Sequence, residues 1–192
     1  MAVKVLTYRL TSSAPYLMHN GQLADPLNKW SRAIKQIASK RKKTDADLEE
    51  MARLEFHGGL YLTKDGPAIP ANNLKAMLVA AAKKHKEGPL ALAGARVNGH
   101  SRLEYTGARD ADEMWKAGTF RDRRGVRVGQ SRVMRTRPIF ETWQTVVSIT
   151  VDDEIVNPAR VDDWMDTAGR IVGIGELRPD LGIFTVERIN AA

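Results

Sequence analysis

Residues 142–151, Thr-Trp-Gln-Thr-Val-Val-Ser-Ile-Thr-Val, alternate more cleanly than any other stretch of the chain. Trp143, Thr145, Val147, Ile149 and Val151 take one side, and Thr142, Gln144, Ser148 and Thr150 take the other. A period of two sends successive side chains to opposite faces of a strand, so the pattern predicts a sheet with one covered face and one face open to solvent or ligand. The residues after this strand narrow the choice of fold. Asn157-Pro158 reads as an N-cap with proline at the first helical position. Val161, Trp164, Met165, Ala168, Ile171 and Val172 then recur at helical spacing. Gly173-Ile-Gly-Glu-Leu-Arg-Pro-Asp-Leu-Gly182 has the composition of a loop, and residues 183–189 predict a last strand. Strand, packed helix and strand make half of a layered α+β domain.

The first half completes the unit. Residues 3–10 predict a largely buried strand with Leu6, Tyr8 and Leu10 on one side. A turn-rich segment, residues 11–26, follows. A helix is expected over residues 27–43, with Leu27, Trp30, Ile34, Ile37 and Ala38 inward and Lys40-Arg-Lys-Lys43 at its C-terminal end. A second helix starts at Thr44 with an acidic first turn and stops at Gly58-Gly59, with His57 as a capping residue. Then come a hairpin around Asp65-Gly66, a helix over residues 74–86 capped by Asn72-Asn73, a strand around residues 102–105 and a short helix over residues 111–117. Removing the insertions leaves βαββαβ, the ferredoxin-like split unit. The expectation is one α+β domain over residues 1–192, with a helical insertion at about 27–59 and a basic arm at about 118–137.

Composition excludes several classes. The absence of cysteine rules out disulfides and thiolate metal sites. No apolar run is long enough to span a bilayer and no signal-peptide pattern opens the chain, so a cytoplasmic location is expected. His19, His57, His85 and His100 show no helical ligand spacing, and there is no P-loop or nucleophile elbow, so neither metal nor cofactor is expected. The net charge of +7 suits an anionic partner, and it is clustered. Residues 121–137 hold Arg121, Arg123, Arg124, Arg127, Arg132, Arg135 and Arg137 against a single acid, Asp122. Seven cations so close repel one another unless an anion joins them, and the planar guanidinium fork suits phosphate. Trp115, Phe120, Phe140 and Trp143 flank the segment as candidate base-stacking groups. Nothing resembles a recognition helix, so single strands are expected over duplex.

Three segments carry a resemblance. Ala68-Ile-Pro-Ala-Asn-Asn-Leu-Lys75 resembles the Ile-Pro-Gly-Ser-Ser-Leu-Lys-Gly start of the first core helix in the RAMP superfamily, the RNA-gripping proteins of CRISPR effector complexes. The Gly173 to Phe184 loop looks like that family's glycine-rich loop before the last strand, and the arginine-rich segment lies where its backbone subunits carry a projecting thumb. Departures are Ala71-Asn72-Asn73 in place of Gly-Ser-Ser, Ala76 in place of glycine, and the acids Glu176 and Asp180 within the loop. The compact style resembles a bacteriophage-encoded relative acting in a bacterial host. The resemblance implies a ferredoxin-like core, single-stranded RNA or DNA as partner, and head-to-tail self-association. Lys75, Arg178, Asn20 and Lys29 join the arginines as expected strand contacts.

Two alternatives stay open at this point. One is an endoribonuclease, either metal-independent with His19 as general base and Lys29 or an arginine stabilising the charged transition state, or dependent on Asp25, which follows the first strand where some family members carry a cleavage-competent aspartate. The other is a protein-interaction module that imitates or blocks a CRISPR subunit.

Overall fold

The computed structural model describes residues 3–189. In chain order the elements are β1 (Val3–Ser12), β2 (Tyr16–Leu17), a 3-10 turn (Gly21–Ala24), α1 (Lys29–Ala38), α2 (Asp45–Gly59), β3 (Leu62–Thr63), β4 (Gly66–Ile69), α3 (Ala71–Lys84), α4 (Gly88–Gly94) and β5 (Ala95–Val97). There follow β6 (Ser101–Arg102), α5 (Ala111–Ala117), β7 (Arg121–Val128), β8 (Ser131–Phe140), β9 (Gln144–Asp152), α6 (Pro158–Thr167), a π turn (Ala168–Val172) and β10 (Phe184–Ile189). The fold is mixed α+β with antiparallel sheets. The chain forms two compact units, the first from the residues up to Tyr16, Thr63–Thr106 and those from Glu141 onward, the second from Leu17–Leu62 and Gly107–Phe140. The segments expected as helical insertion and basic arm fall in the second unit.

In the first unit the strand order is β10-β1-β9-β5, every neighbouring pair antiparallel. Leu6 stands opposite Ile149, Tyr8 opposite Val147 and Leu10 opposite Thr145, which gathers the apolar sides of both strands on one face. Leu74, Met77, Leu78 and Ala81 of α3 and Val161, Trp164 and Met165 of α6 are buried in the same core. The alternation in β9 is preserved residue by residue, with Thr145, Val147, Ile149 and Val151 buried. The other face stays open. Val5 and Val146 are 54% and 41% exposed on it, Arg9 pairs with Glu187 at 3.0 Å, and none of the paired strand residues on it is aromatic.

The third strand beside β9 differs from expectation. It is the three-residue β5, whereas Ser101–Arg102 pairs with β4 and Glu104 makes only a single bridge to Gln144. The helix α4 that delivers β5 opens on Gly88-Pro89, with the proline in its first turn. Pro70, not Asn72 or Asn73, occupies the cap of α3, and His100 Nδ1 accepts from the Ala71 amide at 3.1 Å. His85, the C-cap of α3, places Nε2 2.8 Å from Thr167 Oγ1.

The glycine loop is closed on itself. The Gly173 amide donates to the Ala168 carbonyl at 2.8 Å, the Ile174 amide to Gly182 at 2.9 Å and the Gly182 amide to Pro15 at 2.8 Å. These amides are occupied by backbone, so they form no open phosphate cradle. Gly182 has φ +73°, and a Cβ there would stand 1.8 Å from the Ile174 carbonyl oxygen. The loop holds Arg178 exposed.

The second unit is built around α2. Thr44 and Asp47 form a full capping box at its start. The Lys40 ammonium, hydrogen-bonded to Asp47, holds that carboxyl down to about 2. Helix α1 stops at Ala38 with Ser39 as its cap, so Lys40 to Lys43 lie beyond the helix rather than in its last turn. Leu27 is 70% exposed and no residue of α1 is fully buried, contrary to the expected apolar seam. Helix α2 ends on Gly58-Gly59, as expected, with both glycines buried, and a Cβ on Gly58 would stand 2.5 Å from Leu23 Cδ2. The His57 ring is packed, not a cap: it stacks on Trp30 with centroids 5.6 Å apart and planes 18° apart.

Gly182→Ala is expected to destabilise the protein by at least about 2 kcal/mol, since it adds left-handed strain to a backbone overlap. Gly21→Ala, where a Cβ meets nothing within 4 Å, serves as the near-neutral control in urea unfolding.

Candidate nucleic-acid interface

The arginine-rich segment folds as an antiparallel hairpin, β7 against β8 across Gly129-Gln130. Register sorts its charges. Arg124 stands opposite Arg135 and Arg137 opposite Asp122, which puts these four on one face. Arg127 stands opposite Arg132, with Arg121 and Arg123 further down the same strand face. Like charges directly opposite across a sheet repel, so each Arg–Arg pair needs compensation.

The first face has it. Asp122 accepts two bonds from the Arg124 guanidinium, at 2.6 and 2.5 Å. Glu55, near the end of α2, accepts from Arg135 Nη1 at 2.7 Å and from the Thr136 backbone amide at 2.8 Å. The Glu55 side chain is only 10% exposed, so this is a carboxylate held inside by charge-assisted bonds. At the base of the other face, Arg121 lies 4.4 Å from the Trp115 ring centroid and 3.5 Å from Glu49. Nearer the tip the compensation stops: among the described residues Arg123 and Arg132 have no acidic partner, and Arg127 bonds only the Gly129 carbonyl, at 3.0 Å. Val128 and Met134 are 53% and 52% exposed beside them. Arg137, near the base on the first face, has none either, because the Asp122 opposite it is taken by Arg124.

A pocket of about 490 Å³ opens next to the hairpin, within the second unit. Leu23, Ile34 and Ala38 form its apolar wall, and His19, Lys35, Glu55, Arg135 and Arg137 bring polar groups to it. Lys35 and Glu55 are absent from the residues singled out by sequence. Glu55 sits in Arg53-Leu-Glu-Phe-His-Gly-Gly59, where an acid between buried apolar neighbours is the available signal.

The remaining expected contacts divide. Arg178 and Lys29 are exposed, Lys29 with its ammonium 4.6 Å from the Trp30 ring centroid. Asn20 is occupied locally: Oδ1 accepts from the Gln22 amide at 3.0 Å and Nδ2 donates to the Leu60 carbonyl at 2.9 Å. Lys75 Nζ donates to the carbonyls of Ala91, Leu92 and Ala95, which matches all three of its ammonium hydrogens and ties α3 to the end of α4. Burial, with Arg96 nearby, pulls its pKa below the ordinary lysine value. Of the four flanking aromatics, Phe120, Phe140 and Trp143 are buried core residues with no face for a base, and Trp115 lies between Phe56 and Arg121.

His19 and Asp25 are not brought to one site. His19 lines the pocket and its carbonyl accepts from Tyr61 Oη at 2.9 Å, while Asp25 is exposed and accepts from the Leu27 amide at 2.8 Å in a local turn. Among the described residues, no group of three or more metal-ligating side chains is placed to hold an ion. No helix among them is long and apolar enough to cross a membrane. No protein-family model matches the chain, and no curated protein does.

Two outcomes test this geometry. Glu55→Gln leaves Arg135 without its counter-charge and is expected to cost about 1–3 kcal/mol in chemical unfolding. His57 is buried with Nε2 3.3 Å from Asp112 Oδ1 but without an aligned hydrogen bond. Burial pulls its pKa below the ordinary value, outweighing the raising effect of Asp112. The unfolded chain then takes up a proton near pH 6.5 that the native chain refuses, so stability falls as pH drops below about 6.5. Urea midpoints at pH 7.5 and 5.5 should differ more for the natural protein than for His57→Phe.

Proposed function

We propose that the chain binds single-stranded nucleic acid, RNA in preference to DNA, through phosphate contacts largely independent of sequence, and that it assembles head to tail. The observation that carries this reading is the opposed pair Arg127 and Arg132. The one other Arg–Arg apposition on the hairpin, Arg124 with Arg135, is balanced by Asp122 and Glu55, and this one is not. A phosphate supplies the missing charge, and Arg123 extends the basic face by about 13 Å along the strand.

Three further features support it. The order β10-β1-β9-β5, with α3 and α6 joining the outer connections, supports a ferredoxin-like core for the first unit and with it the RAMP resemblance. None of the paired strand residues on the open sheet face is aromatic, which favours contacts made by the hairpin over base stacking on those strands. Strand β7 is the outer strand of its sheet, the position at which another strand can add, which supports self-association. RNA is preferred on the family resemblance alone.

The test is fluorescence anisotropy with labelled oligo-U and oligo-dT between 50 and 200 mM salt. Arg127→Ala/Arg132→Ala should weaken binding and flatten the slope of log K against log salt by about 1.4, some 0.7 per lost phosphate contact. No binding at low salt by the natural protein would exclude the reading. A change in sizing-column mass on the same substitution, without nucleic acid present, would assign the pair to self-association instead.

A further inference from the structure

The pocket beside the hairpin has a chemistry of its own. Leu23 and Ile34 supply an apolar wall, while Lys35, Arg135 and Arg137 converge on it with Glu55 as the only acid. Glu55 is committed to Arg135 and the Thr136 amide, which leaves two positive charges in excess, on Lys35 and Arg137. Neither has an acidic partner among the described residues. A phosphodiester inside a strand brings one negative charge, whereas a phosphate monoester brings about −1.5 to −2. The volume, about 490 Å³, lies in the range of organic-ligand sites, and a bare oxyanion would leave the apolar wall uncovered.

We infer that this pocket binds a phosphate monoester carried on a ring-bearing organic body, the chemistry of a nucleoside monophosphate, with the phosphate between Lys35 and Arg137 and the ring against Leu23 and Ile34. Two sources present that chemistry: a free nucleotide and the phosphorylated end of a strand. The site goes beyond single-strand binding by the hairpin tip, because Arg123, Arg127 and Arg132 line no part of it. Sequence inspection alone does not find it, since its cations come from α1 and β8, about a hundred residues apart.

Isothermal titration of the whole chain with AMP, adenosine and inorganic phosphate at low salt tests the inference. AMP should bind at least about tenfold more tightly than either fragment, since one charge-assisted contact is worth a factor of this size. Lys35→Gln, at an exposed and unpartnered position, and independently Arg137→Gln should each weaken AMP about tenfold with the thermal midpoint checked alongside. Arg123→Ala/Arg127→Ala/Arg132→Ala should leave AMP binding unchanged while abolishing that of oligo-U, so the two sites fail separately. A 5′-phosphorylated oligonucleotide that binds more tightly than both AMP and its 5′-hydroxyl counterpart assigns the site to strand ends. Equal binding of AMP and the phosphorylated end assigns it to free nucleotide. AMP binding no tighter than inorganic phosphate, or unchanged in both single variants, overturns the proposal.

Discussion

The second unit depends on one carboxylate. Glu55 accepts a guanidinium from one residue of β8 and the backbone amide of the next. A charge this deeply buried is tolerated only when its lone pairs are filled, so the end of α2 and the register of β8 constrain each other. The constraint reaches further than the pair. With Arg135 neutralised by Glu55 and Arg124 by Asp122, only Arg137 on that face of the hairpin lacks an acid, and the rest of the uncompensated charge lies on the other face, at Arg123, Arg127 and Arg132. The same carboxylate lines the pocket, where it fixes how many cations remain for a ligand.

Much of the architecture was legible because its signals are local. The alternation of β9, the Asn157-Pro158 start of α6 and the Thr44 capping box are decided by residues within a few positions of one another. The elements that sequence misses are fixed from outside. Strand β5 has three residues and exists through its pairing with β9. Helix α4 begins on Gly-Pro, a stop signal in isolation, and its final carbonyls are satisfied by an ammonium from another helix. The length of α1 is set where Ser39 turns the chain, which no charge count reveals.

The site divides along the same line. The concentration of arginine between residues 121 and 137 is plain in the sequence, but which arginines are already neutralised is not, because Glu49 and Glu55 stand 72 and 80 positions away from their partners. Asn20 and Lys75 share the composition of binding residues, and both are occupied by backbone groups of the protein. The aromatic residues around the hairpin mislead for a related reason. In sequence they flank the basic segment, but Phe120, Phe140 and Trp143 turn into the core.

The graded compensation along the hairpin also makes it a lever for orientation. The arginines toward its tip lack the acids that balance most of those toward its base, so a polyanion approaching the hairpin would be drawn hardest to the tip. On the proposed reading this gradient would set the rate and pose of first contact before any close contact forms, and salt would screen it over about 10 Å.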